Sequence, residues 1–327
     1  MSSLKLDYRS ILMTINKVDI VYTWVDGTDP IWQEKKEYHL NSKQEYLQCQ
    51  NSQISDDRYI EHCELKYSLR SICKFASWVN HIYIVTDNQT PHWLKKTDKI
   101  TIIDHKDIIP EEFLPTFNSS VIESFLHKIP NLADNFIYFN DDMMIGRVTK
   151  ISDFFKNEKP RVFTSSIFPS RKKVKDKPTY NMLSIKNSRD KVKKIIKANL
   201  NYGLRHGIRP INKSHFSESA CLFNHVLQSN FNEKFRLTPF SLLYLYTFYE
   251  IAKNRSAITY QKHLKKPLLF DLFSTFIYIN NNNIEYFSSN FEQLSPLVFC
   301  INETNTPLEK LPLFSNGLLS EKSEFEL

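Results

Sequence analysis

Four short apolar runs, each leading into an acid, constrain this chain more than any other feature. VDIVYT (18–23) passes into a DGTDP turn carrying Asp26, and HIYIVTD (81–87) ends on Asp87. KITIID (99–104) ends on Asp104, and NFIYFNDD (135–142) ends on Asp141 and Asp142. Runs of this kind read as buried strands. Between them lie helical patterns at 31–48, 58–76 and 119–129. In the second, Leu65, Leu69, Ile72 and Ala76 make one stripe, with Lys66, Arg70 and Lys74 on another face. Strands alternating with helices predict an α/β fold on a mostly parallel central sheet. Ligands in such sheets sit beyond the carboxyl ends of the strands. Asp26, Asp87, Asp141 and Asp142 are therefore expected on one rim.

The rest of the chain changes character. Residues 151–200 are basic and proline-punctuated, and are expected to leave the sheet. Residues 201–327, rich in Phe and Tyr, are expected to be a helical part that completes the same domain. At 327 residues the chain can bury a full core. With 5 glycines and neither a G-x-G-x-x-G nor a Walker-type loop, bound phosphate would have to be met by cations. The net charge of +7 is concentrated in 171–197, where eleven Lys/Arg stand against two Asp. That stretch reads as a solvated basic face, or as a contact for a polyanion or an anionic membrane. No recognised nucleic-acid-binding motif accompanies it.

Cysteines at 49, 63, 73, 221 and 300 form no C-x-x-C, so neither a zinc site nor a disulfide framework is expected. The first seventeen residues hold no signal-peptide core, and the apolar stretches at 239–252 and 267–279 are too short or interrupted to span a bilayer. A cytoplasmic protein is expected, with the basic stretch offering a peripheral contact at the inner face of the membrane.

Asp141 and Asp142, with Asn140 beside them, supply oxygen ligands of the kind Mg²⁺ or Mn²⁺ takes, and such an ion would offset their mutual repulsion. Trp24 could stack on a base or sugar and Asp26 accept its hydroxyls; a core Trp and a turn-forming Asp are equally consistent. Ser120 and Glu123 have capping-box spacing. Glu123 and His127, four apart, would share a helix face, and Asn118 stands at the helix entrance, where free N–H groups attract anions. His215 and Arg236 carry little weight alone.

Taken together, these stretches resemble the Stealth family, which includes bacterial capsular-polysaccharide phosphotransferases and the eukaryotic lysosomal-enzyme N-acetylglucosamine-1-phosphotransferase. VDIVYTWVDGTDP is similar to its first conserved region. ELKYSLRSICKFASWVNHIYIVTDNQTPHWL (64–94) and LPTFNSSVIESFLHKIPNLADNFIYFNDDMMIG (114–146) are similar to its second. HFSESACLFNHVLQSNFNEKFR (215–236) resembles the third, with Ser217 where the family has Pro, and KSEFE (322–326) resembles the closing segment.

The resemblance implies a nucleotide-diphosphosugar-transferase-like sheet and transfer of a sugar-1-phosphate from a nucleotide diphosphate sugar, a UDP-sugar foremost, to a hydroxyl of a capsular or exopolysaccharide acceptor. The product is a phosphodiester, and a nucleoside monophosphate leaves. It further implies that Asp141 and Asp142 hold Mg²⁺ or Mn²⁺, that Arg236 and Arg70 offset phosphate charge, and that His215 is the general base. Trp24, Asp26, Asp87, Asn118, Glu123, His127 and Asn140 would shape the donor pocket. A metal-dependent glycosyltransferase releasing a nucleoside diphosphate, or a non-catalytic sugar- or phosphate-binding protein, are the alternatives.

Overall fold

A computed structural model describes residues 17–42, 59, 62–166, 168, 178–263, 274–301 and 307–327. Outside these lie residues 1–16, Cys49, parts of the 31–48 and 58–76 helical patterns, the basic residues 171–177 and most of the apolar stretch 267–279.

The first sheet holds β1 (Val18–Thr23), β2 (Ile82–Thr86), β3 (Ile100–Asp104), β4 (Asn135–Asn140) and β8 (Arg209–Asn212), in the order β3-β2-β1-β4-β8. Its first four strands are parallel, and β8 runs antiparallel to β4. Helix α1 (Pro30–Leu40) follows β1, capped by Asp29, which accepts from Ile31 N and Trp32 N. Helix α2 (Glu64–Phe75) precedes β2, and α3 (Ser119–Ser124) precedes β4. The mostly parallel α/β sheet is therefore as expected.

Both faces of this sheet are covered, and the period of two decides which residue faces which layer. Ile20, Tyr22, Ile84, Ile137 and Phe139 pack with Leu65, Leu69 and Ile72 of α2. Val21, Tyr83, Val85, Phe136 and Tyr138 pack on the other side, against a helical layer. That layer holds α4 (Tyr180–Ile195), α5 (Lys213–Leu222), α6 (Asn224–Phe231) and α7 (Leu242–Ala252).

A second sheet departs from expectation. It contains β5 (Met143–Ile145), β6 (Phe155–Lys156), β7 (Lys159–Thr164), β9 (Ala257–His263), β10 (Ser274–Ile279) and β11 (Val298–Ile301), in the order β5-β11-β10-β9-β7-β6. Part of the 151–200 stretch thus belongs to a sheet, and the C-terminal part is not wholly helical. Only α8 (Ile284–Leu294) separates β10 from β11. The reason is that an apolar run such as STFIYI, in which Phe276, Ile277 and Ile279 are all buried, carries no period that separates strand from helix. No helix among the described residues is long and apolar enough to cross a membrane.

Candidate active site at the junction of the two sheets

The turn Asp141–Asp142 joins β4 of the first sheet directly to β5 of the second. Across the rim, Thr23 at the end of β1 lies opposite Asn140 at the end of β4. Helix α2 fixes the exit of the turn through two buried serines. Ser68 Oγ donates to Met143 O and pairs with Tyr22 Oη at 2.7 Å, while Ser71 Oγ accepts from Ile145 N at 3.0 Å. Within the turn, Asp141 Oδ1 accepts from Asp142 N at 3.1 Å.

The second sheet brings two further groups to this turn. Cys300 on β11 lies opposite Met143, and its Sγ stands 3.0 Å from Asp142 Oδ2. Burial, with the Asp142 charge beside it, pushes the thiol well above its ordinary pKa, so it donates to the carboxylate. His206 approaches on the loop before β8. Gly207, at φ +143°, makes the bend that presents it, in a conformation L side chains rarely adopt. A carboxylate oxygen of Asp142, an imidazole nitrogen of His206 and the Cys300 sulfur lie within 4.8 Å of one another. Glu64, the first residue of α2, adds another acid: burial, and more weakly the Asp142 charge, raise its carboxyl pKa against the opposing backbone hydrogen bonds and the His62 charge. The gathered carboxylates, with an imidazole at their edge, are consistent with a divalent cation, which would relieve their repulsion.

On the helical face of the same rim the charges are inverted. Glu123 Oε1 accepts from Tyr138 Oη at 3.2 Å, and Oε2 from Ser241 Oγ at 3.3 Å. Tyr138 Oη also pairs with Thr23 Oγ1 at 3.0 Å, tying this group to the ends of β1 and β4. Burial raises the Glu123 carboxyl, and the charges of Arg236 and Arg209 oppose that rise. Arg236 donates to Ser119 Oγ, and Arg209 on β8 lies opposite Tyr138. Two arginines and one half-buried carboxyl thus flank the rim opposite the acid turn.

Several expected roles are corrected by this geometry. Glu123 does not cap α3; Asn118 does, accepting from Ser120 N. Asn118 is fully buried and its amide donates to Asn230 Oδ1 and Phe235 O, so it holds the helix start rather than an anion. His127 shares no helix face with Glu123, because α3 ends at Ser124 and His127 falls in a 3-10 turn. Its ring meets Phe216 edge-on, and burial, aided by Lys128, lowers its pKa to about 4.

Arg70 faces away from the rim. Its Nε and Nη2 each donate at 2.7 Å to Glu326, and Nη1 donates to Leu319 O and Ser320 O. It anchors the C-terminal segment.

His215 lies at the edge of the sheet opposite the acid turn. Since β8 is antiparallel to β4, Asn212 lies opposite Asn135, and α5 begins there. The length of β4, roughly 16 Å at about 3.3 Å per residue, separates this edge from Asp141. His215 Nδ1 instead pairs with Glu250 Oε2 at 2.9 Å.

The remaining rim residues line the ends of β1 to β3. Trp24 is buried, and its indole N–H has no hydrogen-bond partner among the described residues. Asp26 accepts from Thr28, while its own N–H donates to Gln89 Oε1. Asp87 pairs with Lys35 at 2.7 Å, and His105 Nδ1 lies 4.0 Å away. Sequence reasoning missed Glu64, His206, Arg209 and Cys300. The one legible signal was RHGIRP (205–210), where a His precedes a turn glycine between two arginines.

Two family models and several known proteins match this chain. The family model for Stealth protein conserved region 1 matches residues 16–44, and that for conserved region 2 matches residues 58–163. A capsular polysaccharide phosphotransferase, cps12A of Actinobacillus pleuropneumoniae, is 34% identical over 98% of this chain and 85% of its own length. Another, from Actinobacillus suis, is 35% identical over 93% of this chain and 81% of its own. The capsular polysaccharide phosphotransferase fcs1 of Haemophilus influenzae is 41% identical over 69% of this chain, which spans 63% of that relative. Among solved structures, the glycosyltransferase GlyE of Streptococcus pneumoniae aligns with a TM-score of 0.39 and 11% identity, over 87% of this chain and 54% of that one. The glycosyltransferase LgtC aligns with a TM-score of 0.38 and 11% identity, over 87% of each chain.

Proposed function

The chain belongs to the Stealth family of capsular polysaccharide phosphotransferases, and on that premise we propose that it transfers a sugar-1-phosphate from a nucleotide diphosphate sugar to a hydroxyl of an acceptor glycan. The observation that carries this reading is the two-sided rim. Carboxylates and His206 lie on one side of the β1–β4 ends, and Arg236, Arg209 and Glu123 on the other. A diphosphate needs its charge neutralised and its reacting phosphorus held in line more than it needs covalent help.

Arg236 and Arg209 meet phosphate oxygens as fixed cations, with Glu123, Tyr138 and Ser241 orienting them. Asp141, Asp142 and Glu64 are the residues that would hold Mg²⁺ or Mn²⁺. Such an ion, when bound, supplies Lewis-acid neutralisation of the diphosphate. His206 takes the role first assigned to His215. It accepts the proton of the acceptor hydroxyl as that oxygen forms a bond to the sugar-bearing phosphorus. The bond from that phosphorus to the bridging oxygen breaks, and the nucleoside monophosphate leaves with the electron pair. Trp24, Asp26 and Asp87, toward β2, line the donor's nucleoside or sugar. Residues 1–150 and 201–327 then act as one catalytic domain, because neither holds the acids, His206 and both arginines alone.

The test is the identity of the released nucleotide. With UDP-sugars and capsular oligosaccharide acceptors, UMP and a phosphorus-containing product are expected. Release of UDP with no phosphorus in the product would make the protein a glycosyltransferase, and binding without turnover would make it a carrier.

A further inference from the structure

The constellation around Asp142 is chemically mixed. The carboxylate seat offers oxygen, which hard cations prefer. On the second-sheet side, Asp142 meets an imidazole nitrogen and a sulfur, within 4.8 Å of one another. Oxygen, nitrogen and sulfur in one cluster form a donor set for a softer ion, above all Zn²⁺. The three come from distant parts of the chain and are fixed by different elements. The pairing of β5 with β11 holds Cys300 opposite Met143, directly after Asp142. The His206 loop rests on the second sheet, where Arg205 N donates to Phe163 O and Arg205 Nε to Gln261 O. Cys300 is fully buried, whereas His206 is exposed, which gives an ion a path in from solvent.

We infer that Asp142, His206 and Cys300 form a thiophilic cation site that shares Asp142 with the carboxylate seat, binds Zn²⁺, and blocks transfer when filled. Binding needs only these three side chains. The block rests on the reading of Asp142 and His206 given above, since a Zn²⁺ ion there would take both from the substrates. On entry the Cys300 sulfur binds as thiolate and its proton passes to solvent. Mg²⁺, which dehydrates reluctantly and favours oxygen, gains nothing from the imidazole and the sulfur. The site therefore separates soft ions from hard ones at a position they would otherwise contest.

Co²⁺ serves as a spectroscopic probe of the ligand set, titrated into the full chain without substrate. A near-ultraviolet thiolate-to-cobalt charge-transfer band, removed by one equivalent of Zn²⁺ and absent in Cys300→Ala, is expected. Loss of an outer partner of a metal ligand costs roughly 10- to 100-fold in affinity, so loss of the thiol itself should weaken Zn²⁺ binding at least about tenfold. Zn²⁺ should also inhibit wild-type turnover in excess Mg²⁺, with its half-inhibitory concentration raised in Cys300→Ala by a similar factor. A wild-type protein that shows no thiolate band overturns the inference, and so does a band that persists in Cys300→Ala. If Cys300→Ala does not fold, His206→Ala must weaken Zn²⁺ binding instead, and unchanged affinity there is equally contrary. A band without inhibition refutes the block. Because the cobalt spectrum needs no donor, a failed sugar-phosphate assay leaves it standing.

Discussion

Arg70 and Glu326 form a buried two-pronged ion pair, with Nε and Nη2 each 2.7 Å from a carboxylate oxygen and side-chain exposures of 8% and 1%. The pair ties residues 319–327 to α2, and the loop after β2 holds the same segment, with Lys95 N donating to Phe325 O and Leu327 N to Trp93 O. Helix α2 in turn carries Glu64, Ser68 and Ser71, which meet or steady the acid turn. The tail thereby supports the rim through α2.

Removing one partner of a buried pair leaves the other charge unpaired. Glu326→Ala should destabilise the protein by about 3–5 kcal/mol, read from the midpoint of urea unfolding. Burial pushes the Glu326 carboxyl up, but hydrogen bonds from Arg70 and Ser323 outweigh it and leave the pKa below the ordinary Glu value. A depressed folded pKa gives stability that is present above the unfolded pKa and lost as pH falls through the folded one. The gap between wild type and Glu326→Gln should therefore be full at neutral pH and close in acid. A gap that widens in acid would contradict the ion pair.

Glu123 has the opposite sign. Burial leads its rise above the ordinary carboxyl range, and Arg236 and Arg209 only partly offset it. A raised folded pKa costs stability as pH climbs through it. Glu123→Gln should thus melt higher than wild type at neutral pH, with the advantage shrinking in acid. Turnover should fall in the same variant, because Gln cannot balance two arginines, a trade of activity for stability. A variant that is less stable at neutral pH would return Glu123 to a purely structural part.

The acid turn gives the metal prediction. Asp141→Asn and Asp142→Asn keep shape while removing charge, so both should fold normally and lose turnover. EDTA should silence the wild type, and Mg²⁺ or Mn²⁺ should restore it. Mn²⁺ titration followed by electron paramagnetic resonance should show weakened binding in each variant. Full activity in excess EDTA would remove the cation from the account.

Legibility in the sequence follows the range of the interactions. Strands β1 to β4 were readable because each is a short apolar run closing on polar residues, a local pattern. The C-terminal strands were not, since STFIYI looks alike as a buried helix or strand until β9 and β11 flank it. Asp141 and Asp142 stood out as neighbouring charges after an apolar run. Glu64 did not, because an acid at a helix start reads as solvated and helix-stabilising. Arg70 sat on a cationic stripe, and its partner lies 256 residues away. His206 and His215 are both plausible by residue type. Only the antiparallel pairing of β4 with β8 sends one to the acid turn and the other to the opposite edge.

That separation makes the choice between two histidines the most direct test. Steady-state turnover of His206→Ala and His215→Ala should be measured side by side with the same donor and acceptor. Losing a general base costs roughly 10²–10⁴-fold in rate, and His206→Ala should show a kcat loss in that range with a near-native melting temperature. His215→Ala should keep near-normal kcat while melting lower, because Glu250 loses its hydrogen-bonded partner Nδ1. The reverse pattern, with His206→Ala active and His215→Ala folded but inactive, would contradict a reaction centre at the junction of the two sheets.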